Sequence, residues 1–490
     1  MSFAFRAGFA LVLLVASPAG ADPIPAAVVQ QQLRELLAGL GATDGAANLS
    51  VTQDGDRDRI ALPIPITQTG SVVATVRQTG AGLWAIEDVH IPSPATFSLP
   101  SSASATNPGT LAVAIGKQSV VGTVDTSFAT KSSIDVAYDD LDVGLVTAEL
   151  RQVQHTARVA ARIDLMPRPD GRLDFEETGE ATALAVASRQ TGKPAVQYTI
   201  EHVRSAQHVG SIDPARVGPL IVASLRLKGL GIAALKEMSD RAPAPGFDKP
   251  AALRIAQDFL AAIDDVATDA KVEQTLDAIR FDVGGQAGTL DHAAIGMTVD
   301  APGGILGLAF DIAADGLHLP NAPPEAAAYM LRHLRLRPSL GGVGGADLLR
   351  LADLALKDGG DGATLAPAVA ALFAHGGIRL GLDGLSVDLG ALKLVGDGAL
   401  TLSQPTPLGL VGEGHVTADG FDALIAQAQA SPAEQTALPA LILARGLGRQ
   451  EAGKLAWDLD YRAGVLTVNG TPIPLSQTRA APAPEHESGR

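Results

Sequence analysis

The chain has 490 residues, a formal net charge of -16 at pH 7 and no cysteine. The missing thiols exclude a lipidated N-terminal cysteine, a disulfide framework, a thiolate metal site and a cysteine nucleophile, and the acidity argues against nucleic acid, whose binding depends on neutralising phosphates. Hydrophobic residues make up 46% of the sequence but aromatic ones only 4%, so its cores must be built from Leu, Val, Ile and Ala, with few rings to stack on sugars.

Residues 1–21 read as a cleavable secretory signal peptide. Arg6 supplies the basic start, Ala7 to Ala16 the apolar run, and Ala19-Gly20-Ala21 the small-residue exit ahead of Asp22. The run is too short to span a bilayer. Farther on, Ile221 to Met238 comes nearest to a span but is interrupted by Arg226, Lys228 and Lys236. The expectation is therefore a periplasmic protein with no transmembrane segment in the mature chain.

From Ala26 to Leu40, Val29, Leu33, Leu36, Leu37 and Leu40 fall at helical spacing. From Leu49 to about His208 the pattern changes to short alternating runs such as Val72 to Val76 and Leu145 to Val153, which predict an antiparallel meander. Asp54-Gly55 and Asp170-Gly171 supply its turns. Asp213-Pro214 is a helix start, and a second helix follows Asp248 and Pro250, with Leu253, Ala256, Phe259, Leu260 and Ile263 on one face.

Strand alternation resumes at Ile279, Phe281 and Val283, then at Ile295 to Val299 and Leu306 to Ile312. Helical segments are predicted near Pro324 to Leu334, Ala346 to Lys357 and Leu365 to Ala374, joined by glycine clusters at 341–345 and 359–362. Ile378 to Leu402 is the clearest β pattern in the chain, punctuated by Gly384, Gly390, Gly396 and Gly398. Two short helices, Phe421 to Ala428 and Leu438 to Ala444, precede a hairpin region from Leu455 to Leu475 with Asn469-Gly470 as its turn.

No catalytic motif emerges. Asp54, Asp56 and Asp58 begin like a calcium loop, but Arg59 replaces the required glycine and Pro65 the bidentate glutamate. Asp139, Asp140 and Asp142 read as a solvated acidic turn. His202 and His208 would share one strand face, yet no third zinc ligand is placed beside them. Gly116-Lys117 lacks the other residues of a phosphate loop, and no G-x-S-x-G elbow is present. The one candidate anion or headgroup contact is Arg332, Arg335 and Arg337, interleaved with Leu334 and Leu336 in an acidic chain. The alternative is a basic helix end whose charges pair with nearby acids.

Asp388-Leu389-Gly390, Gly396-Asp397-Gly398-Ala399-Leu400, Gly412-Glu413-Gly414, Gly420-Phe421-Asp422-Ala423-Leu424 and Val468-Asn469-Gly470-Thr471-Pro472 together resemble an uncharacterised bacterial family of exported proteins, a domain of unknown function. More distantly, helices followed by Gly-punctuated L-x-L strands are similar to AsmA-like envelope proteins. The closer resemblance covers roughly Pro214 to Leu475 and brings no catalytic residues. The AsmA-like resemblance implies a curved sheet whose concave apolar face holds lipid chains, although a cleavable signal here replaces a retained anchor.

The expected fold class is α+β: strand-rich, antiparallel curved sheets with packing helices, in two halves joined by a helical connector. After the signal peptide, the expected units are an N-terminal helix and β-rich domain at 22–210, the connector at 211–270, a C-terminal α+β domain at 271–477 and a disordered tail at 478–490. The expected function is non-enzymatic binding of lipid or another apolar amphiphile in the cell envelope, without a cofactor. The alternatives are a periplasmic scaffold for an envelope protein partner and a hydrolase acting on an envelope polymer.

Overall fold

The computed structural model describes residues 25–39, 49–63, 71–98, 109–147, 149–215, 249–263, 268–323, 327–358, 362–403, 409–430 and 436–473. The signal-peptide segment, the tail and most of the helix expected after Asp213 lie outside the described residues. What is described of that helix agrees with the expectation: Asp213 Oδ1 accepts a hydrogen bond from Ala215 N at 2.9 Å.

The first half supplies helix α1 (Ala26–Gly39) and strands β1 (Ser50–Asp54), β2 (Arg57–Pro63), β3 (Ser71–Gly80), β4 (Leu83–His90), β5 (Ala95–Ser98), β6 (Thr110–Asp125), β7 (Ser132–Val146), β8 (Leu150–Pro167), β9 (Leu173–Gln190) and β10 (Val196–Ile212). Helix α2 (Lys249–Ile263) leads to β11 (Asp269–Val283), β12 (Gln286–Asp300), β13 (Ile305–Asp315) and β14 (His333–Gly344). Then follow α3 (Gly345–Asp358), α4 (Gly362–Ala371), β15 (Ile378–Asp388), β16 (Lys393–Leu402) and β17 (Leu410–Asp419). The chain closes with α5 (Phe421–Ala430), α6 (Leu438–Leu447), β18 (Arg449–Glu451), β19 (Lys454–Arg462), β20 (Val465–Val468) and β21 (Thr471–Ile473).

All the described strands belong to one antiparallel sheet, and nearly every one pairs with its neighbour in sequence. Two places depart from that rule. Strands β4 and β5 both pair with β6, β4 over Gly122 to Asp125 and β5 over Thr110 to Val113. Strand β19 pairs with β17 on one edge, and with β18 and β20 on the other.

This continuity corrects the expectation of two halves joined by a helical connector. Strand β10 pairs with β11 from Val196↔Val283 to Gly210↔Asp269, so the hydrogen-bonded ladder crosses the supposed boundary. Helix α2 is inserted between two strands that are already neighbours. A second correction concerns the helix expected over Pro324 to Leu334. Strand β14 begins at His333, because the alternation of Leu334 and Leu336 with Arg335 and Arg337 is a period-two signal. The glycines at 341–344 end that strand instead of joining two helices, with Gly341 opposite Arg379 and Gly344 opposite Ile305.

A crease crosses the middle strands. Asp140 in β7, Ala183 in β9 and Ala278 in β11 have φ values of 52°, 52° and 53°. The register places Gly116, Ala157 and Glu201 of the intervening strands opposite them. At the crease the buried positions step by three, from Tyr138 to Leu141, both of which are buried. Alternation therefore resumes in the opposite phase, and β7 keeps its buried side chains on one face.

The main core lies at the N-terminal end. Val29 of α1 packs with Ile60, Val76, Trp84 and Ile86 of the early strands and with Val120, Ile134 and Val136 of β6 and β7. A smaller core at the far end joins Ala418, Leu455, Trp457 and Val468, with Phe421 and Leu447 from the closing helices. Trp457 Nε1 donates to Ala444 O at 2.7 Å, and its ring meets Phe421 edge-on with centroids 5.3 Å apart.

Candidate functional site

Directly opposed residues of an antiparallel pair project from the same face, so the register sorts the side chains between the cores. One row runs Ile295, Ile312, Leu336, Leu385, Gly396, Val416 and Trp457 from β12 to β19. The parallel row is Leu276, Ala293, Ala314, Leu334, Val387, Leu394, Ala418 and Leu455. Neither row contains a charged residue. A third, Leu308, Leu340, Leu380 and Leu400, lies on the same face.

Toward β19 these rows run into the closing core, where Ala418, Leu455 and Trp457 are buried. Between the two cores, among the described residues, the same face carries exposed apolar side chains. Ile295 is 52% exposed, Leu380 48% and Leu400 39%, whereas Ile134 in the first core is 4% exposed. Ile312, Leu336 and Leu385 are half-buried, flanked by apolar neighbours on adjacent strands.

The opposite face is polar, and its acids alternate with His and Lys across the strands. One row reads Asp277, His292, Asp315, His333, Asp388, Lys393 and Asp419. His292 Nδ1 lies 2.7 Å from Asp277 Oδ1, His333 Nδ1 2.6 Å from Asp315 Oδ1, and Lys393 Nζ 3.1 Å from Asp388 Oδ2. Farther along the sheet, His415 Nδ1 is 2.7 Å from Asp458 Oδ1. The hydrogen bond to His415, helped by Arg449, holds the Asp458 carboxyl below the usual range. A groove of about 630 Å³ on this face has Ala137, Ala160 and Ala206 in its lining, with Arg158, Arg162 and Arg204 facing Asp135, Glu180 and Glu273. These pairs were not legible in the sequence, because the partners are 15 residues apart for His292 and Asp277 and 43 for His415 and Asp458.

Arg332, Arg335 and Arg337 fall in and just before β14, so they are not a helix end. Arg335 makes a fork to Asp311, with Nε 3.1 Å from Oδ1 and Nη2 2.7 Å from Oδ2, and Arg337 Nε adds a contact to Oδ2 at 3.3 Å. The hydrogen bond from Arg335 holds the Asp311 carboxyl below its ordinary range against a partial cost of burial. Arg332 lies beside the Gly390 turn, where its charge reinforces the low value of Asp388 that the Gly390 N–H and Lys393 set first. One carboxylate thus takes two of the three guanidinium groups.

Among the described residues no group of three or more His, Asp or Glu side chains could hold a metal ion. His202 Nδ1 is 4.0 Å from Glu180, and His208 Nε2 is 3.1 Å from Asp269. Gly55 and Asp56 form the turn between β1 and β2, and Asp58 is buried at 6% exposure. Asp142 pairs with His155 at 2.8 Å.

Fold and faces together define the chain as a single large antiparallel β-sheet with one apolar and one ion-paired side. Comparison with protein-family models, with curated proteins and with solved structures finds no match. Among the described residues no helix is long and apolar enough to cross a membrane.

Proposed function

We propose that the protein binds the acyl chains of a lipid or similar amphiphile on the exposed apolar face between its two cores, as a carrier in the periplasm and without catalysis. The observation that carries this reading is the exposure of Ile295, Leu380 and Leu400 on a face whose rows hold no charge. An exposed apolar surface of this extent marks a site of interaction. Branched aliphatic side chains without hydrogen-bonding groups suit hydrocarbon better than a polar polymer or a peptide backbone.

Dimensions support the same reading. The row from Ile295 to Val416 crosses six strands, and five steps of about 4.8 Å make a track of about 24 Å, longer than the ~15 Å depth of one bilayer leaflet. Each methylene buried there contributes about 0.8 kcal/mol, so ten would contribute about 8 kcal/mol before ordering costs. The AsmA-like texture of the sequence implies the same kind of ligand.

Native mass spectrometry of the purified chain, followed by solvent extraction, tests the reading. The expected result is a co-purifying amphiphile that is lost from the Ile312→Asp, Leu336→Asp double variant while circular dichroism is unchanged. A chain that carries no amphiphile and takes none up from mixed micelles overturns it, and a co-purifying protein at the same face would favour a scaffold role.

A further inference from the structure

The polar face neutralises most of its cations, and one group stands apart. Arg151 on β8 and Arg189 on β9 are direct cross-strand partners. That placement sets two like charges about 5 Å apart at Cβ, an arrangement that destabilises a sheet unless something compensates it. Among the described residues no carboxylate, and no other hydrogen-bond partner, engages either guanidinium or the ammonium of Lys193 in the turn that follows β9. Two arginines elsewhere on this face are paired: Arg204 reaches Asp277 at 3.2 Å and Arg280 reaches Glu201 at 3.0 Å.

The three cations line one groove of about 500 Å³, in which Glu149 is the single carboxylate. The chain as a whole has 53 acidic residues against 37 basic ones, so the groove inverts the sign of its surroundings. Its walls are tied together by backbone: Thr191 N donates to Glu149 O at 2.9 Å, Thr147 N to Leu150 O at 2.8 Å, and Lys193 N to Gln190 O at 3.1 Å. The loops at the ends of β8 and β9 therefore hold the cations together instead of letting them spread.

We propose that Arg151, Arg189 and Lys193 form a binding site for a phosphate monoester dianion. Two guanidinium forks match phosphate oxygens in pairs and the ammonium adds a point charge. A doubly charged ligand offsets the opposed arginines, which a single carboxylate would leave half-compensated. The site lies on the polar face and stands independently of the acyl-chain reading, so either can fail alone.

The test titrates the full chain with inorganic phosphate and, separately, with monomeric short-chain phosphatidic acid, by calorimetry at low salt. The wild type is expected to bind at least one probe, and the Arg151→Gln, Arg189→Gln double variant to bind it at least tenfold more weakly. The Arg379→Gln, Lys454→Gln double variant, with the same change in charge elsewhere, is expected to bind as the wild type does. Tighter binding of phosphatidic acid than of phosphate supports the site with a lipid headgroup as its ligand, and equal affinities support it with phosphate itself. The melting temperature of the Arg151→Gln, Arg189→Gln variant is expected to be unchanged or higher, which separates loss of the site from loss of the fold. The proposal is overturned if neither probe binds the wild type, or if both charge-reduced variants lose affinity equally.

Discussion

Asp140 sits opposite Gly116 across the β6–β7 ladder, its φ is 52°, and a Cβ added to residue 116 would come within 2.9 Å of its own Cβ. The crease thus brings two strands together where one residue has no side chain and the other is in the left-handed region, unfavourable for most residues by roughly 1–2 kcal/mol. Gly116→Val is expected to destabilise the protein by about 1–3 kcal/mol through crowding. Asp140→Gly is expected to raise stability by up to about 1 kcal/mol. Urea denaturation of both variants checks the pair, and a neutral Gly116→Val would mean that the crease relaxes freely.

Ile134 and Ile295 test whether the sheet has a core behind it everywhere. Ile134 is 4% exposed and Ile295 52%. Replacing the first by Ala is expected to cost about 2–5 kcal/mol, as for a large-to-small change in a packed core. The same change at Ile295 is expected to cost under about 1 kcal/mol. Comparable losses in thermal melts of the two variants would show that the face at Ile295 is covered in solution.

Asp58 is 6% exposed, and among the described residues its Oδ1 has no hydrogen-bond partner. Burial pushes this carboxyl above its ordinary value. The folded state therefore binds a proton more tightly than the unfolded chain, and the penalty for Asp58 is absent below the unfolded pKa of about 3.9. Stability falls as the pH rises from there through the folded value, and the penalty is fully present above it. Asp58→Asn is expected to flatten that fall and to gain about 1 kcal/mol at pH 7, since the charged form no longer has to be buried. Melting curves from pH 4 to pH 7 on both proteins measure the effect.

Asp311 has the opposite sign. The bond from Arg335 lowers its carboxyl, so its contribution is present above the unfolded pKa and is lost as the pH falls through the folded value. The Arg335 and Asp311 side chains are 45% and 42% exposed, so solvent screens the pair. Asp311→Asn is expected to lower the melting temperature slightly at pH 7 and not at all at pH 2, and salt is expected to shrink the difference.

Much of the fold was legible because period-two alternation and turn chemistry are local. The β1–β2 turn at Gly55, the strands from Ile378 to Leu402 and the helices at Ala26, Phe421 and Leu438 all stand where the pattern puts them. The turn after β20 has Asn469 at φ 49° and Gly470 at φ 77°, as an Asn-Gly hairpin needs. The sheet's continuity was not legible, because the pairing of Val196 with Val283 crosses a helical insertion that looks in sequence like a domain boundary. The candidate sites were harder still. Arg335 and Asp311 are 24 residues apart, and the opposition of Arg151 to Arg189 depends on a register that composition does not encode.

Strands that pair with their neighbours in sequence make the sheet behave as a one-dimensional array, in which each ladder depends chiefly on the two beside it. Removing or duplicating one hairpin restores the chain direction and the phase of both faces, and changes the length of the apolar track by about 10 Å for two strands. The reach of such a sheet can therefore be reset in whole hairpins by insertion or deletion, without redesigning either end.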